Sequence, residues 1–185
     1  MKNITVLVSG NGTNMKHILK AINNGTLYDF RINLVIFDRK CEAIQYAIKK
    51  NLKFFLLKKD KFLSKRIDNL LIKSNPHIIV LSGFLSILNK NFCKKWIGKV
   101  INIHPSILPK YGGKGMYGKK VHESVINNKE KISGATVHYV TENIDSGDII
   151  LKKKCKVSSN ETIYSLSKKI SLIEEEILIE SIKKF

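Results

Sequence analysis

Short apolar runs and longer stretches of mixed apolar and polar residues alternate along this chain. The runs Ile4–Ser9, Phe30–Phe37, Phe54–Leu57, Ile78–Leu81 and Val100–Ile103 are bounded by turn-forming or polar residues and predict strands. Ile78–Leu81 holds no polar residue, the pattern of a parallel strand covered on both faces. Between the runs, apolar residues recur at helical spacing. Phe62, Leu63, Ile67, Leu70 and Leu71 mark a helix over Asp60–Ser74, ended by Asn75-Pro76. Further helices are predicted over Met15–Asn23, Glu42–Lys50, Asn91–Trp96 and Lys119–Asn127. The pattern then changes. In Gly134–Val140 and Asp148–Lys156, Val137, Tyr139, Ile149 and Leu151 alternate with polar residues, which suits antiparallel edge strands. A last helix is predicted from Thr162 to Lys183.

Strands alternating with helices imply right-handed crossovers. The expected fold class is α/β: a doubly wound, mostly parallel, Rossmann-like sheet with antiparallel C-terminal edge strands and a final long helix. No repeat, linker or low-complexity tract interrupts residues 1–185, so they read as a single domain.

Composition narrows the function classes. A hydrophobic share of 43% is enough for a sizeable core at this length. No apolar run reaches the 18 or so residues of a membrane span. The opening M-K-N-I-T-V-L-V is too short for a signal-peptide core. Cys41, Cys93 and Cys155 are odd in number, widely spaced and without C-x-x-C. They predict reduced thiols in a cytoplasmic protein rather than a disulfide framework or zinc site.

The net charge of +18 raises nucleic-acid binding as a class. Yet arginine is confined to Arg31, Arg39 and Arg66, and the scattered lysines lack the planar fork that reads phosphates and bases. No basic stripe interleaves with aromatics, so nucleic acid is not the expected partner. The five histidines show no metal-ligand spacing, and no metal is expected.

Two stretches carry candidate chemistry. S-G-N-G-T-N at 9–14 joins the first strand to the first helix. A helix N-terminus at that place suits a phosphate. Met15 stands where a dinucleotide fingerprint needs its third glycine, so a monophosphate fits better. A tight turn capped by Thr13 or Asn14 explains the loop equally well. The second stretch is I-N-I-H-P at 101–105. Asn102 and His104, two apart on a strand, share a face at its carboxyl end. An amide donor beside an imidazole suits a developing oxyanion. A carboxylate to orient the imidazole is offered by Asp145 or Asp148 in T-E-N-I-D-S-G-D, and would raise the histidine's pKa.

Four segments in chain order resemble the small, folate-using phosphoribosylglycinamide formyltransferases of purine synthesis: S-G-N-G-T-N-M-K-H-I-L, I-I-V-L-S-G-F-L-S-I-L, I-N-I-H-P-S-I-L-P-K and V-H-Y-V-T-E-N-I-D-S-G. The resemblance implies formyl transfer from 10-formyltetrahydrofolate, as co-substrate, to the amine of phosphoribosylglycinamide, by a monomer or homodimer. It implies Asn102, His104 and Asp145 as the catalytic residues. It places the substrate phosphate on Gly12, Thr13 and Asn14, and the substrate amine on Glu174, with Glu175 and Glu176 as neighbouring alternatives. It places folate against Leu85, Ser86, Ile87, Leu88 and Asn102, and against Val140, Thr141, Glu142, Asn143 and Ile144. His138 takes a supporting role. Residues 1–103 form the phosphate-binding half and 104–185 the folate-binding and catalytic half.

Relatives often carry a basic residue where this chain has Ser86, and the loop Y-G-G-K-G-M-Y-G after Lys110 is unusually glycine-rich. That loop reads as a flap or a spacer. His17 reads as a helix-surface residue, His122 as structural, and His77 receives no role. Other folate formyl enzymes, methionyl-tRNA formyltransferases and formyltetrahydrofolate deformylases among them, share part of the pattern but carry an extra domain that this chain does not match.

Overall fold

Five strands pair in parallel at the centre of the structure, a computed structural model of residues 1–185. They are β1 (Lys2–Val8), β2 (Phe30–Phe37), β3 (Phe54–Leu56), β4 (Ile78–Ser82) and β5 (Val100–His104). Two antiparallel strands, β6 (Ile132–Tyr139) and β7 (Ile149–Lys156), complete a seven-stranded sheet of order β3-β2-β1-β4-β5-β6-β7. The helices are α1 (Thr13–Asn23), α2 (Ala43–Lys49), α3 (Leu63–Ser74), α4 (Lys90–Lys95), α5 (Lys119–Asn127) and α6 (Ile163–Ile182).

The apolar strands are apolar because both faces are covered. Val6 and Val8 point into a core with α1, α2 and α6, while Leu7 between them points into a second core with α3 and α4. Ile78 and Val80 divide from Ile79 and Leu81 in the same way. Each such side chain contributes roughly 1.5–3 kcal/mol on full burial, so a polar residue inside these runs needs a compensating partner.

Helix starts differ from the expected ones for local reasons. α3 begins at Leu63, not Asp60, because the Asp60 carboxylate accepts the Phe62 N–H at 2.8 Å and an Arg66 N–H at 2.7 Å. Those bonds hold a turn in place of a first helical turn. α1 begins two residues early, at Thr13. Its N-cap is Gly12, at φ 66°, and neither Thr13 nor Asn14 caps it. A Cβ on Gly12 would lie 2.7 Å from the Ala43 Cβ, so both backbone angle and space require glycine. Thr162 caps α6 through a reciprocal bond with Ser165.

The strand order reverses between β1 and β4. Crossovers leave in opposite directions there and open a crevice at the strands' carboxyl ends. The loop after β1, the loop after β4 and the end of β5 meet at this crevice.

Candidate active site

A cavity of about 570 Å³ occupies the crevice, a size suited to small-molecule ligands. It is lined by Gly12, Thr13 and Asn14, by Leu85–Leu88, by Asn102, His104 and His138, by Val140–Asp145 and by Glu174. All the site residues expected from the sequence therefore face one space.

Strand pairing builds its reactive corner. Asn102 of β5 lies opposite His138 of β6, and His104 sits two residues further on the same face. The chain leaves β6 and turns back at once, the Tyr139 N–H donating to the Asp148 carbonyl at 2.9 Å. Gly147 permits this return, since a Cβ there would lie 1.9 Å from the Tyr139 carbonyl oxygen. Asp145, at φ 53°, projects from the turn against the histidines. Its Oδ2 is 3.6 Å from His104 Nδ1 and its Oδ1 is 3.6 Å from His138 Nε2. Asp148 is exposed and takes no part, which decides between the two aspartates.

The hydrogen bonds fix the tautomers. His104 Nε2 lies 2.7 Å from the Tyr111 carbonyl, which can only accept, so Nε2 carries a hydrogen and Nδ1 faces Asp145. By the same reasoning His138 Nδ1–H donates to the Tyr139 carbonyl at 2.8 Å. Its Nε2 is left to accept from Asn102 Nδ2 at 3.1 Å. The second Asn102 N–H has only a 3.5 Å contact to Asp145 and stays available on the cavity side.

Charge states depart from the sequence expectation at His104. Burial pushes the imidazole below its ordinary value, and outweighs the upward pull of the Asp145 carboxylate and the Tyr111 carbonyl. The expected rise is overturned because a charged ring loses more hydration here than one carboxylate returns. Asp145 goes the other way. Burial favours its neutral form, but the His138 and His104 rings, which stabilise it whenever their facing nitrogens carry a proton, and the Gly113 N–H at 2.9 Å together hold it below the ordinary carboxylate range. The resting pair is a neutral imidazole beside a carboxylate.

The other end of the cavity lies at α1 and α6. The first-turn N–H groups of a helix lack helical acceptors. Of these, the Met15 N–H reaches Ser82 Oγ at 3.2 Å, whereas those of Thr13 and Asn14 find no protein acceptor. The Asn14 side-chain oxygen is also buried without a partner. Successive helical residues point in different directions, and this separates the three glutamates of α6. Glu175 pairs with Lys20 at 2.8 Å and Glu176 with Lys153 at 2.5 Å. Glu174 alone enters the cavity, where burial without a cation raises its carboxyl to about 8. Ser167 and Ser171 line the same face of α6, seven and three residues before Glu174, a helical spacing that the sequence reading did not use.

Y-G-G-K-G-M-Y-G closes over the reactive corner instead of spanning a gap. The Tyr111 carbonyl holds His104 and the Gly113 N–H holds Asp145, while the Tyr111 hydroxyl donates to Glu130 at 2.7 Å. Residues 113–118 line the cavity. Sequence reasoning missed these contacts because both are made by backbone. It also set His122 aside as structural, yet this buried residue lines the cavity with Nδ1 unpartnered. His17 is not on an open helix surface: it is half-buried, 3.6 Å from Glu175.

Known proteins resemble this chain in sequence and fold. The formyl transferase family profile matches residues 2–182. The chain is 32% identical, over 98% of its length, to the chloroplastic phosphoribosylglycinamide formyltransferase of Vigna unguiculata. It is 31% identical, over 94% of its length, to the human trifunctional purine biosynthetic protein adenosine-3. It spans 60% of the former relative and 17% of the latter. Among solved structures, the phosphoribosylglycinamide formyltransferase of Anaplasma phagocytophilum superposes with a TM-score of 0.88 at 29% identity, over 98% of this chain and 85% of that one. The glycinamide ribonucleotide transformylase 1 of Symbiobacterium toebii superposes with a TM-score of 0.89 at 26% identity, covering 98% and 86%. A formyltetrahydrofolate deformylase of Pseudomonas syringae, at 23% identity, shares the fold, with a TM-score of 0.86 over 98% of this chain and 60% of that one. With a profile match across nearly its whole length and a shared fold, this chain belongs to the formyl transferase family.

Proposed function

We propose that this chain transfers the formyl group of 10-formyltetrahydrofolate to the amine of 5'-phosphoribosylglycinamide, giving formylglycinamide ribotide for purine synthesis. One observation carries the reading: a single cavity joins open helix N-terminal amides, a carboxyl and a histidine–aspartate pair. Gly12, Thr13 and Asn14 receive the phosphate through backbone N–H groups and the positive end of α1. Glu174 receives the amine. The loops 85–88 and 140–144 enclose the folate, so residues 1–103 supply the phosphate loop and one folate loop, and 104–185 the other folate loop, Glu174 and the His104–Asp145 pair. The three cysteines are unpaired, which suits a reducing compartment such as the cytoplasm.

The folate supplies an activated formyl carbon. Around it, neutral His104 Nδ1 takes the proton lost by the attacking amine, and Asp145 stabilises the imidazolium that results. The free Asn102 N–H and the imidazolium then face the oxyanion that develops at the formyl carbon. His104 finally returns its proton to the departing nitrogen, so no proton is lost from the balance. His138 keeps the Asn102 amide turned the right way.

Purified chain mixed with glycinamide ribotide and 10-formyl-5,8-dideazafolate is expected to release deformylated folate, followed by absorbance, only when both are present. The shared fold of the deformylase motivates the second reading, hydrolysis of the formyl-folate. Turnover without the ribotide would establish that reading and end the transferase one. His104→Ala at near-full rate would remove His104 from the mechanism.

A further inference from the structure

Asp38 lies just past the carboxyl end of β2, and its side chain is fully buried. It does not line the cavity. A buried carboxylate is unfavourable unless its oxygens are well hydrogen-bonded, and here the donors are arranged with a consequence. Arg39 reaches it through Nη2 at 2.8 Å and Nε at 3.1 Å. The Ser86 hydroxyl donates at 2.5 Å, and the Ser9 hydroxyl also bonds to it. These donors hold Asp38 ionised against burial.

The two serines belong to two different loops that flank the cavity. Ser9 begins the loop after β1, and its oxygen also accepts the Leu85 N–H at 2.8 Å. Ser86 belongs to the loop after β4, is itself buried, and has its hydroxyl turned away to Asp38. We infer that Asp38 is a positioning residue: its carboxylate ties the loop after β4 to the loop after β1, and so sets the spacing between the folate and ribotide ends of the cavity. An ionised carboxylate is needed because both oxygens must accept. An amide would turn one donor group against Arg39 or Ser86. The inference rests on the proposed function for its kinetic consequence but not for its structural one.

Asp38→Asn in the full chain tests it by two readouts. In steady-state kinetics, KM for the formyl-folate and for the ribotide should rise about tenfold while kcat changes less than about threefold. The pH profile of kcat should stay in place, because the reactive corner is built on β5 and β6. An unchanged KM for both substrates, or a kcat loss with a displaced pH profile, would overturn the inference. The second readout needs no turnover. Amide hydrogen exchange should accelerate at Leu85 and Ser86, and stay unchanged at Asn102 and His138. Uniform acceleration across the sheet would mean a general structural role and overturn the inference as well. If wild type shows no formyl transfer, the functional reading fails, while the exchange experiment still decides the role of Asp38. If Asp38→Asn does not fold, Ser9→Ala removes one tie and leaves the charge paired with Arg39. A rise of about threefold in the KM of the formyl-folate is then expected, and no rise overturns the inference.

Discussion

Asp145, on the turn after β6, and Glu174, on α6, line one cavity, yet their surroundings drive them to opposite charge states. Asp145 collects a backbone N–H and two imidazole neighbours and is held low. Glu174 has no donor or cation against it and rises to about 8. The desolvation is common to both, so the partners decide the sign. A carboxylate prepared with its partners is a fixed charge ready for a proton-carrying neighbour. A carboxyl left without them stays protonated to higher pH.

Exchanging each carboxyl for its amide should separate the two roles most widely in kinetics. Asp145→Asn is expected to lower kcat by roughly 10²–10⁴-fold, the scale of acid–base catalysis. Glu174→Gln is expected to raise the KM of the ribotide about tenfold with kcat changed only a few-fold. Similar losses of kcat in both variants would erase the distinction.

Stability against pH gives a smaller effect with opposite slopes. The Glu174 carboxyl is raised from 4.5 to about 8. Between those values the folded chain binds more protons than the unfolded one, so stability falls as pH rises through that window. Glu174→Gln removes this slope. Its Tm should exceed that of wild type increasingly from pH 5 to pH 8.5. The gain should be on the order of 2 kcal/mol, after allowance for solvent reaching the carboxyl through the cavity, or about 2–4 °C per kcal/mol. Asp145 is held low, so its contribution is present above the unfolded carboxylate pKa and is lost as pH falls through the folded one. Asp145→Asn should therefore be less stable than wild type near neutrality and approach it in acid. Parallel thermal melts of the three proteins check both slopes.

The mildest perturbation acts on the loop over the reactive corner. Tyr111→Phe deletes the hydroxyl bond to Glu130 and loosens the carbonyl that holds His104 Nε2. That carbonyl favours the imidazolium, so the His104 pKa should fall further, followed by NMR titration of the ring, with a two- to threefold loss of kcat. An unmoved pKa would show that the hydroxyl does not position the carbonyl.

How far the sequence could be read depended on the range of the physics involved. The alternation of strands and helices, the fully apolar β4 and the antiparallel β6 and β7 are local patterns, and they stand in the structure within a few residues. Asn102 and His104 could be placed on one face because strand periodicity is local. Asp145 could not be joined to them by spacing, as it lies 43 residues from Asn102 in the chain. The motif resemblance, not periodicity, named it. The choice among Glu174, Glu175 and Glu176 stayed open because α6 buries residues around much of its circumference, including Ile170, Ile173, Ile177, Leu178 and Ile179. With so broad an apolar surface, the inward polar direction is not marked.

The sequence by itself determined the strand–helix alternation and the shared face of Asn102 and His104. Each follows from backbone geometry and side-chain periodicity over a few residues. Only the tertiary structure decided the downward direction of the His104 pKa, the raised Glu174 carboxyl and the Asp38 tie between two loops. Those are sums of desolvation and hydrogen bonding over groups distant in the chain, and burial and distance exist only once the sheet has brought the groups together.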